Sequence, residues 1–269
     1  MKRPVTVIDG FPSYAPSLAF GGSGFDESFF DQLVRFEEQN FWFRARTDLI
    51  VDLIERFAPA AGNMLDAGCG TGIVLKALRA RTRLRLAGAE PFIQGLKWAR
   101  DRVPDGELIQ SDVSSLPYSE QFDVAGAFDV IEHIQDDVDA LAVLRRTIRP
   151  GGIVIVTVPQ HPWLWSAADE IAHHCRRYRR SELAAKIERA GLRLRFTTSF
   201  VSLLLPAMLI ARRFSGNGKA AELALPEPIN RLFSAIMRIE RTLIHAGVRF
   251  PAGGSLIAVA ERSTEDVVR

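Results

Sequence analysis

Two stretches of the chain bring together residue types that can do chemistry. The first is Leu65-Asp66-Ala67-Gly68-Cys69-Gly70-Thr71-Gly72, an acidic residue ahead of three alternating glycines. Glycines let the backbone turn sharply and approach a ligand, and the start of a following helix offers unpaired N–H donors. Ile73 stands where a dinucleotide-binding G-x-G-x-x-G would place its third glycine, and the G-K-[ST] of a nucleotide-phosphate loop is missing. An aspartate before the glycines suits a cationic ligand better than a pyrophosphate. The second stretch is Asp129-Val130-Ile131-Glu132-His133. A helical turn here would put both carboxylates and the imidazole on one face. Such a group can hold a divalent ion, leave His133 to act alone as a base, or serve only structure.

These groups need a scaffold, and the hydrophobic pattern supplies one. A strand opening at residue 64 runs into the glycine loop, and a helix over 73–79 follows it. Strands over 84–90, 108–110, 122–128 and 153–158 alternate with helices over 92–102 and 138–148. The glycine loop and Asp129 both fall directly after strands, at the carboxyl edge where open α/β sheets bind ligands. The repeating β-α-β order predicts a parallel sheet with helices on both faces. A helix over 182–190 and strands over 192–198 and 255–261 complete the pattern. Before the sheet, residues 1–24 read as a flexible arm, and residues 41–57 read as a helix within a 25–62 helical segment. Residues 200–250 form an insertion before the last strand. It holds the apolar run 201–211 and an amphipathic helix carrying Ile229, Leu232, Phe233, Ile236, Ile239 and Leu243.

The glycine segment resembles the cofactor loop of class I S-adenosylmethionine-dependent methyltransferases, and further matches fall in that family's order. Glu90 ends the second strand, where the family places an acidic residue on the ribose hydroxyls. Ser111-Asp112-Val113 follows the third strand, where an acidic residue meets the adenine amino group. Phe122-Asp123-Val124 leads the fourth strand and Arg149-Pro150-Gly151-Gly152 precedes the fifth. The resemblance covers mainly residues 63–158. It implies a Rossmann-like, seven-stranded, mostly parallel sheet over 63–199 and 251–263, with 25–62 as a lid. S-adenosylmethionine is the implied cofactor, on Asp66, Gly68, Gly70, Gly72, Glu90, Pro91, Asp112, Val113, Phe128 and Arg46. Arg46 enters because the lid helix of related enzymes carries an arginine for the cofactor's carboxylate.

The D-x-x-E-H pattern resembles the E-x-x-E-H of the ubiquinone-pathway O-methyltransferases and the small-RNA terminal 2′-O-methyltransferases. Asp129 here replaces the first glutamate, and His174 stands as the later histidine. The resemblance implies a divalent metal on Asp129, Glu132, His133 and His174. Without a metal, His133 is the candidate base, with Glu132 beside it. The expected reaction is O-methylation of a small-molecule or lipid-linked acceptor; the alternatives are a non-catalytic cofactor-binding module and an RNA 2′-O-methyltransferase.

Composition constrains partners. Among 269 residues, 34 Lys and Arg against 32 Asp and Glu leave a net charge of +2, which argues against a polycation built for nucleic acid. Two cysteines exclude a disulfide framework. The first residues lack the apolar stretch of a leader, and the run 201–211 is too short to span a bilayer, so a cytoplasmic protein is expected. Positive charge is nevertheless concentrated: ten Lys or Arg stand against two Glu between Arg176 and Arg213. Beside the apolar run, this cluster reads as a solvated face, a site for a phosphorylated substrate, a peripheral contact with an anionic membrane or an RNA contact, with 200–250 as a substrate lid or membrane-facing element. Trp163 and Trp165, after the fifth strand, are placed to wall an apolar substrate or to pack their own loop.

Overall fold

The structure, a computed structural model, describes residues 6–21, 28–214 and 225–264. Parts of the expected arm, 1–5 and 22–24, and the side chains of Arg212 and Arg213 lie outside the described residues.

The central sheet is built from β3 (Asn63–Ala67), β4 (Arg85–Glu90), β5 (Glu107–Gln110), β6 (Phe122–Phe128), β7 (Ile148–Pro159), β8 (Leu192–Phe200) and β9 (Ser255–Arg262). Strands β3 to β7 pair in parallel, and β9 runs antiparallel between β7 and β8. The sheet has nine strands rather than the expected seven. The additional two are β1 (Thr6–Ile8) and β2 (Phe11–Ser13), an antiparallel pair in the segment expected to be loose. The order is β1-β2-β5-β4-β3-β6-β7-β9-β8. The reason is an edge that would otherwise be open. Ser13 pairs with Gln110 of β5, whose side chain accepts from Ser13 Oγ at 2.6 Å and donates to Ala15 O at 2.8 Å.

Alternation along the strands splits the core between two faces. Leu65, Ala125, Val154 and Val156 face α5 (Asp137–Thr147) and α7 (Arg180–Arg189), which bury Leu141, Leu144, Leu183 and Ile187. Met64, Val124, Ile153 and Ile155 face α2 (Phe41–Phe57), α3 (Ile73–Arg81) and α9 (Glu227–His245). A third cluster joins Cys69 and Leu75 to Leu96 and Ala99 of α4 (Ile93–Arg102).

Helix α2 starts where the sequence indicates. Asn40 caps it by accepting from Trp42 N at 2.8 Å. The insertion braces that same end: Asn230 of α9 accepts from Phe41 N and donates to Gln39 O, each at 2.8 Å. The remaining helices are α1 (Ser28–Glu37), α6 (Ala167–Ile171) and α8 (Leu205–Phe214). No helix among the described residues is long and apolar enough to cross a membrane.

Candidate active site

Strand β3 delivers Asp66 and the glycine loop to the carboxyl edge of the sheet. Gly68, Gly70 and Gly72 have φ of +80°, +52° and +77°, a region L side chains rarely adopt. Gly68 and Cys69 donate to Ala89 O at 2.7 and 3.0 Å, which folds the loop onto the end of β4. A Cβ on Gly72 would stand 2.9 Å from Ala99 Cα, and one on Gly68 would stand 2.5 Å from Val130 Cγ2. Gly70 is different. The nearest atom to its Cβ position is Phe30 Cε1 at 3.8 Å, so that position borders open space.

Two buried acids line the loop. Glu90 accepts from Gly70 N at 2.9 Å and from Phe92 N at 3.2 Å. Burial nevertheless raises its pKa to about 7. Asp66 is equally enclosed, its Oδ1 has no hydrogen-bond partner, and burial raises it to about 7 against the pull of Arg46. A buried carboxylate without a donor is costly, and a cation would relieve the cost.

The remaining expected cofactor residues divide between rim and core. Asp112 accepts from Ser114 Oγ at 2.6 Å and Ser115 N at 3.0 Å, capping the turn after β5. Pro91 sits beside Glu90, its carbonyl accepting from Gln110 Nε2 at 2.7 Å. Val113 packs in the core on the α5 side, and Phe128 on the α2 side, where its ring covers Gly126.

Helix α1 lies across the loop. Phe30 is buried, its ring centroid 6.1 Å from that of Phe92. Asp31 accepts from Gln94 Nε2 at 2.9 Å and Trp98 Nε1 at 2.8 Å, and these bonds hold its pKa below the usual range. At the other end of α1, buried Glu37 accepts from Thr71 Oγ1 at 2.8 Å and from Arg102 Nη1.

The D-x-x-E-H stretch does not form one helical face. Asp129 sits at φ +56° and turns the chain before a single 3₁₀ turn over Ile131–His133. It pairs with Arg46 of α2, whose guanidinium also lies 4.6 Å from the Trp42 ring centroid. The structure thus separates Asp129 from the other three expected metal ligands, Glu132, His133 and His174, whose ligand atoms all lie within 4.8 Å of one another. Glu132 is fully buried, and neither carboxylate oxygen has a hydrogen-bond partner. Burial, and next the charge of Asp129, push its pKa well above the carboxylate range, while Arg46 and Arg177 oppose. The protein packed about His133, and then nearby His174, lower the His133 pKa to about 4, so this ring is neutral at pH 7.

His174 is held from behind. Its Nδ1 lies 2.8 Å from Asp169 Oδ1, and its Nε2 faces Glu132 Oε1 at 4.0 Å. Asp169 is itself buried and accepts from Arg177 Nε at 2.7 Å and Ser166 N at 2.8 Å; together with His174 these partners hold its carboxyl well below the usual range. Sequence reasoning missed Asp169 and Arg177. The signal was there: Ser166-Ala167-Ala168-Asp169 forms a capping box. The aspartate's second job, on a histidine five residues away, shows only in three dimensions.

Part of the basic cluster is spent on internal pairs. Arg176 and Lys186 pair with Asp137, and Arg177 with Asp169. Trp163 is exposed, 5.1 Å from the His161 ring centroid.

Comparison with known proteins places this arrangement. A family profile described as a methyltransferase domain matches residues 41–195. A probable S-adenosylmethionine-dependent methyltransferase of Mycolicibacterium smegmatis is 29% identical over 163 residues, 60% of this chain and 62% of that protein. A malonyl-[acyl-carrier protein] O-methyltransferase of Salmonella typhimurium is 32% identical over 118 residues, 41% of this chain and 47% of that protein. The chain thus spans about half to three fifths of these relatives' lengths. Among solved structures, the [4+2]-cyclase SpnF superposes with a TM-score of 0.54 at 20% identity, covering 80% of each chain. Phosphoethanolamine N-methyltransferase 2 of Haemonchus contortus gives 0.55 at 17%, covering 80% of this chain and 52% of that one. These likenesses concern the fold, which hosts more than one reaction.

Proposed function

The chain belongs to the methyltransferase-domain family, and from that premise we propose that it transfers a methyl group from S-adenosylmethionine to an oxygen of a small-molecule or lipid-linked acceptor. The carrying observation is the pair of buried acids around an open glycine cradle. Asp66 Oδ1 lacks a donor, Glu90 is bonded only to backbone N–H groups of the loop and its neighbour, and the Gly70 Cβ position borders space. These groups fit a ligand that is cationic at one end and carries hydroxyls at the other. The loop, Asp66 and Glu90 would hold it, with Asp112 at the rim and α1 as cover. When bound, the cofactor supplies a methyl group already activated on a sulfonium.

This chain must then align the acceptor and exclude water, which is mainly a proximity effect. Where the acceptor is a hydroxyl, its proton must leave. With Nδ1 turned to Asp169, His174 offers the Nε2 lone pair toward Glu132 and His133, and the Asp169 carboxylate stabilises the imidazolium that forms. His133 is a second neutral imidazole in reach. O-methyltransferases among the relatives, acting in their names on malonyl-[acyl-carrier protein] and in ubiquinone biosynthesis, support oxygen as the target atom.

One observation favours a second reading, a divalent metal on Glu132, His133 and His174. Both Glu132 oxygens are bare, and a carboxylate behind a histidine is the usual outer support of a metal-bound imidazole. Ligands about 2.1 Å from one ion lie at most about 4.2 Å apart, so the 4.8 Å spread requires a small contraction. A metal there would polarise an acceptor hydroxyl in place of the base.

The test is calorimetric titration with S-adenosylmethionine, followed by detection of S-adenosylhomocysteine over a panel of hydroxylated acceptors. Absence of binding overturns the proposal; binding without turnover on any acceptor favours a non-catalytic module.

A further inference from the structure

The carboxyl edge also holds a cavity of about 490 Å³, lined by Gln160, His161, Trp163, Arg179, Arg180, Arg249 and Pro251. Three of these side chains are arginines and none is acidic. Among the described residues no carboxylate pairs with Arg179, Arg180 or Arg249, in contrast to Arg176 and Arg177 next to them. Arg180 is held by neutral groups, donating to Ser199 Oγ at 3.1 Å and to Phe250 O. Arg249 stacks over Phe196, 5.2 Å from the ring centroid. Burial and the like charge of Arg249 draw the Arg180 pKa down, the signature of positive charges crowded without a counter-ion.

Two further groups in the wall have unused hydrogen-bonding capacity. Gln160 is 1% exposed and its Oε1 has no partner; His161 Nε2 is likewise buried and unpartnered. His161 stands at φ +60°, a strained conformation for a non-glycine residue, which suits a wall shaped for a ligand. Trp163, exposed beside His161, adds an open aromatic face.

We propose that this cavity is the acceptor subsite for a phosphate group, with the arginines taking the phosphate oxygens and Trp163 covering the adjoining part of the molecule. The choice of phosphate follows from charge. A single carboxylate would leave three cations largely uncompensated, whereas a phosphate monoester or diphosphate brings about two or three negative charges, matched by arginine forks. The position suits a substrate that must also reach the methyl donor. Gln160 follows β7, two strands along from the glycine loop after β3, so the near wall of the cavity lies roughly 10 Å from that loop along the edge. Arg177 ties the two regions, donating to Gln160 O at 3.2 Å and to Asp169, which holds His174.

The inference takes its role as an acceptor subsite from the proposed methyl transfer, but the anion site can be tested without turnover. Phenyl phosphate and inorganic pyrophosphate are titrated into the protein at matched ionic strength, with acetate as control, and S-adenosylmethionine is titrated separately. Saturable phosphate binding is expected, with acetate much weaker. Arg179→Ala and Arg249→Ala should each weaken it by about tenfold, about 1.4 kcal/mol, through loss of a charge-assisted contact. Both residues are exposed, so the variants fold, and their S-adenosylmethionine isotherms serve as the check. Inorganic phosphate is titrated beside phenyl phosphate, and Trp163→Ala should remove the preference for the phenyl ester. Dihexanoyl phosphatidic acid, soluble as monomers, measured beside phenyl phosphate, separates a lipid headgroup from a free phosphate; tight binding of either supports the subsite. No saturable phosphate binding, or equal binding by the Arg179→Ala/Arg249→Ala double variant, overturns the proposal. Failure of S-adenosylmethionine alone to bind would strike the methyl-transfer reading and leave the anion result standing.

Discussion

Arg46 of α2 donates to Asp129 at the turn after β6, and this one ion pair ties the helix that covers the sheet to the edge where the candidate chemistry sits. The guanidinium also acts on Asp66 and Glu132, lowering the pKa of each against their burial. One cation therefore serves three carboxylates, one at the end of β3 and two in the turn after β6. Arg46→Met should destabilise the fold by roughly 2–4 kcal/mol, somewhat below a fully buried pair because Asp129 is partly exposed. The Arg46→Met/Asp129→Asn double variant should recover a large part of that loss. Urea denaturation of the three variants closes the cycle, and strict additivity would show that the pair is energetically idle.

Gly70→Val should fold and yet lose S-adenosylmethionine. The Cβ position is clear of protein to 3.8 Å, so the cost to the fold is mainly the positive φ, about 1–2 kcal/mol. The branched side chain would fill the cradle. Gly68→Val is the contrast: its Cβ would meet Val130 at 2.5 Å, so folding itself should suffer. Thermal melts set beside calorimetry separate the two, and wild-type affinity in folded Gly70→Val would remove the cradle reading.

Affinity for the cofactor should rise with pH. Asp66 and Glu90 are both raised to about 7 in the ligand-free protein, from ordinary values of 3.8 and 4.5. The folded state thus holds protons that the unfolded chain has released between about pH 4 and about pH 7. Their contribution to stability is fully present below about pH 4 and is lost as pH rises through about 7. A cation bound beside Asp66 favours the ionised form, so binding expels a proton. Affinity should fall up to about tenfold over the unit below pH 7 for one such group. Calorimetry in buffers of different ionisation enthalpy reads the released proton directly, and Asp66→Asn should abolish that release.

Asp169→Asn should lower turnover by about 10²–10⁴-fold, the range of a general base that loses its support, while S-adenosylmethionine still binds. Under the metal reading, EDTA stops turnover, added metal restores it, and Glu132→Ala loses the response. Turnover that survives both chelation and His174→Ala would place the proton acceptor elsewhere, with His133→Ala the next variant to assay.

The outer faces of α8 and α9 offer a further check. Leu232 and Ile239 of α9 are each 57% exposed, and Ile210 of α8 is 60% exposed. We propose that this face touches lipid, as the sequence suggests. Flotation with anionic liposomes at low salt should carry the protein, Leu232→Glu/Ile239→Glu should release it, and salt should weaken it. A protein that stays at the bottom of the gradient at low salt would leave the face without a lipid role.

Local patterns were enough to place the sheet and the loop. The β-branched run Ile153–Val158, bounded by Pro150-Gly151-Gly152, marks a buried strand, and a short acidic-glycine segment between strand and helix suits the positive φ values at Gly68, Gly70 and Gly72. Helix α2 was legible to the residue, Phe41–Phe57, because its N-cap and its period both lie within the segment. The β1–β2 pair was not. Its apolar content is slight, and what orders it is the free edge of β5 and the side chain of Gln110, about a hundred residues away.

The same distinction divides the candidate site. Sequence spacing grouped Asp129 with Glu132 and His133, on the assumption of a helical turn. The fold instead turns Asp129 out at φ +56° to meet Arg46, eighty-three residues earlier. His174 reaches Glu132 only because Asp169 and Arg177 anchor its loop under the end of β7. The three arginines of the phosphate cavity come from α7 and from the segment after α9, and no local pattern distinguishes them from their paired neighbours. Backbone preference and hydrophobic period act over a few residues, so the sequence can declare them alone. Which charge faces which is settled by desolvation and Coulomb forces between chain segments that only the packed fold brings together.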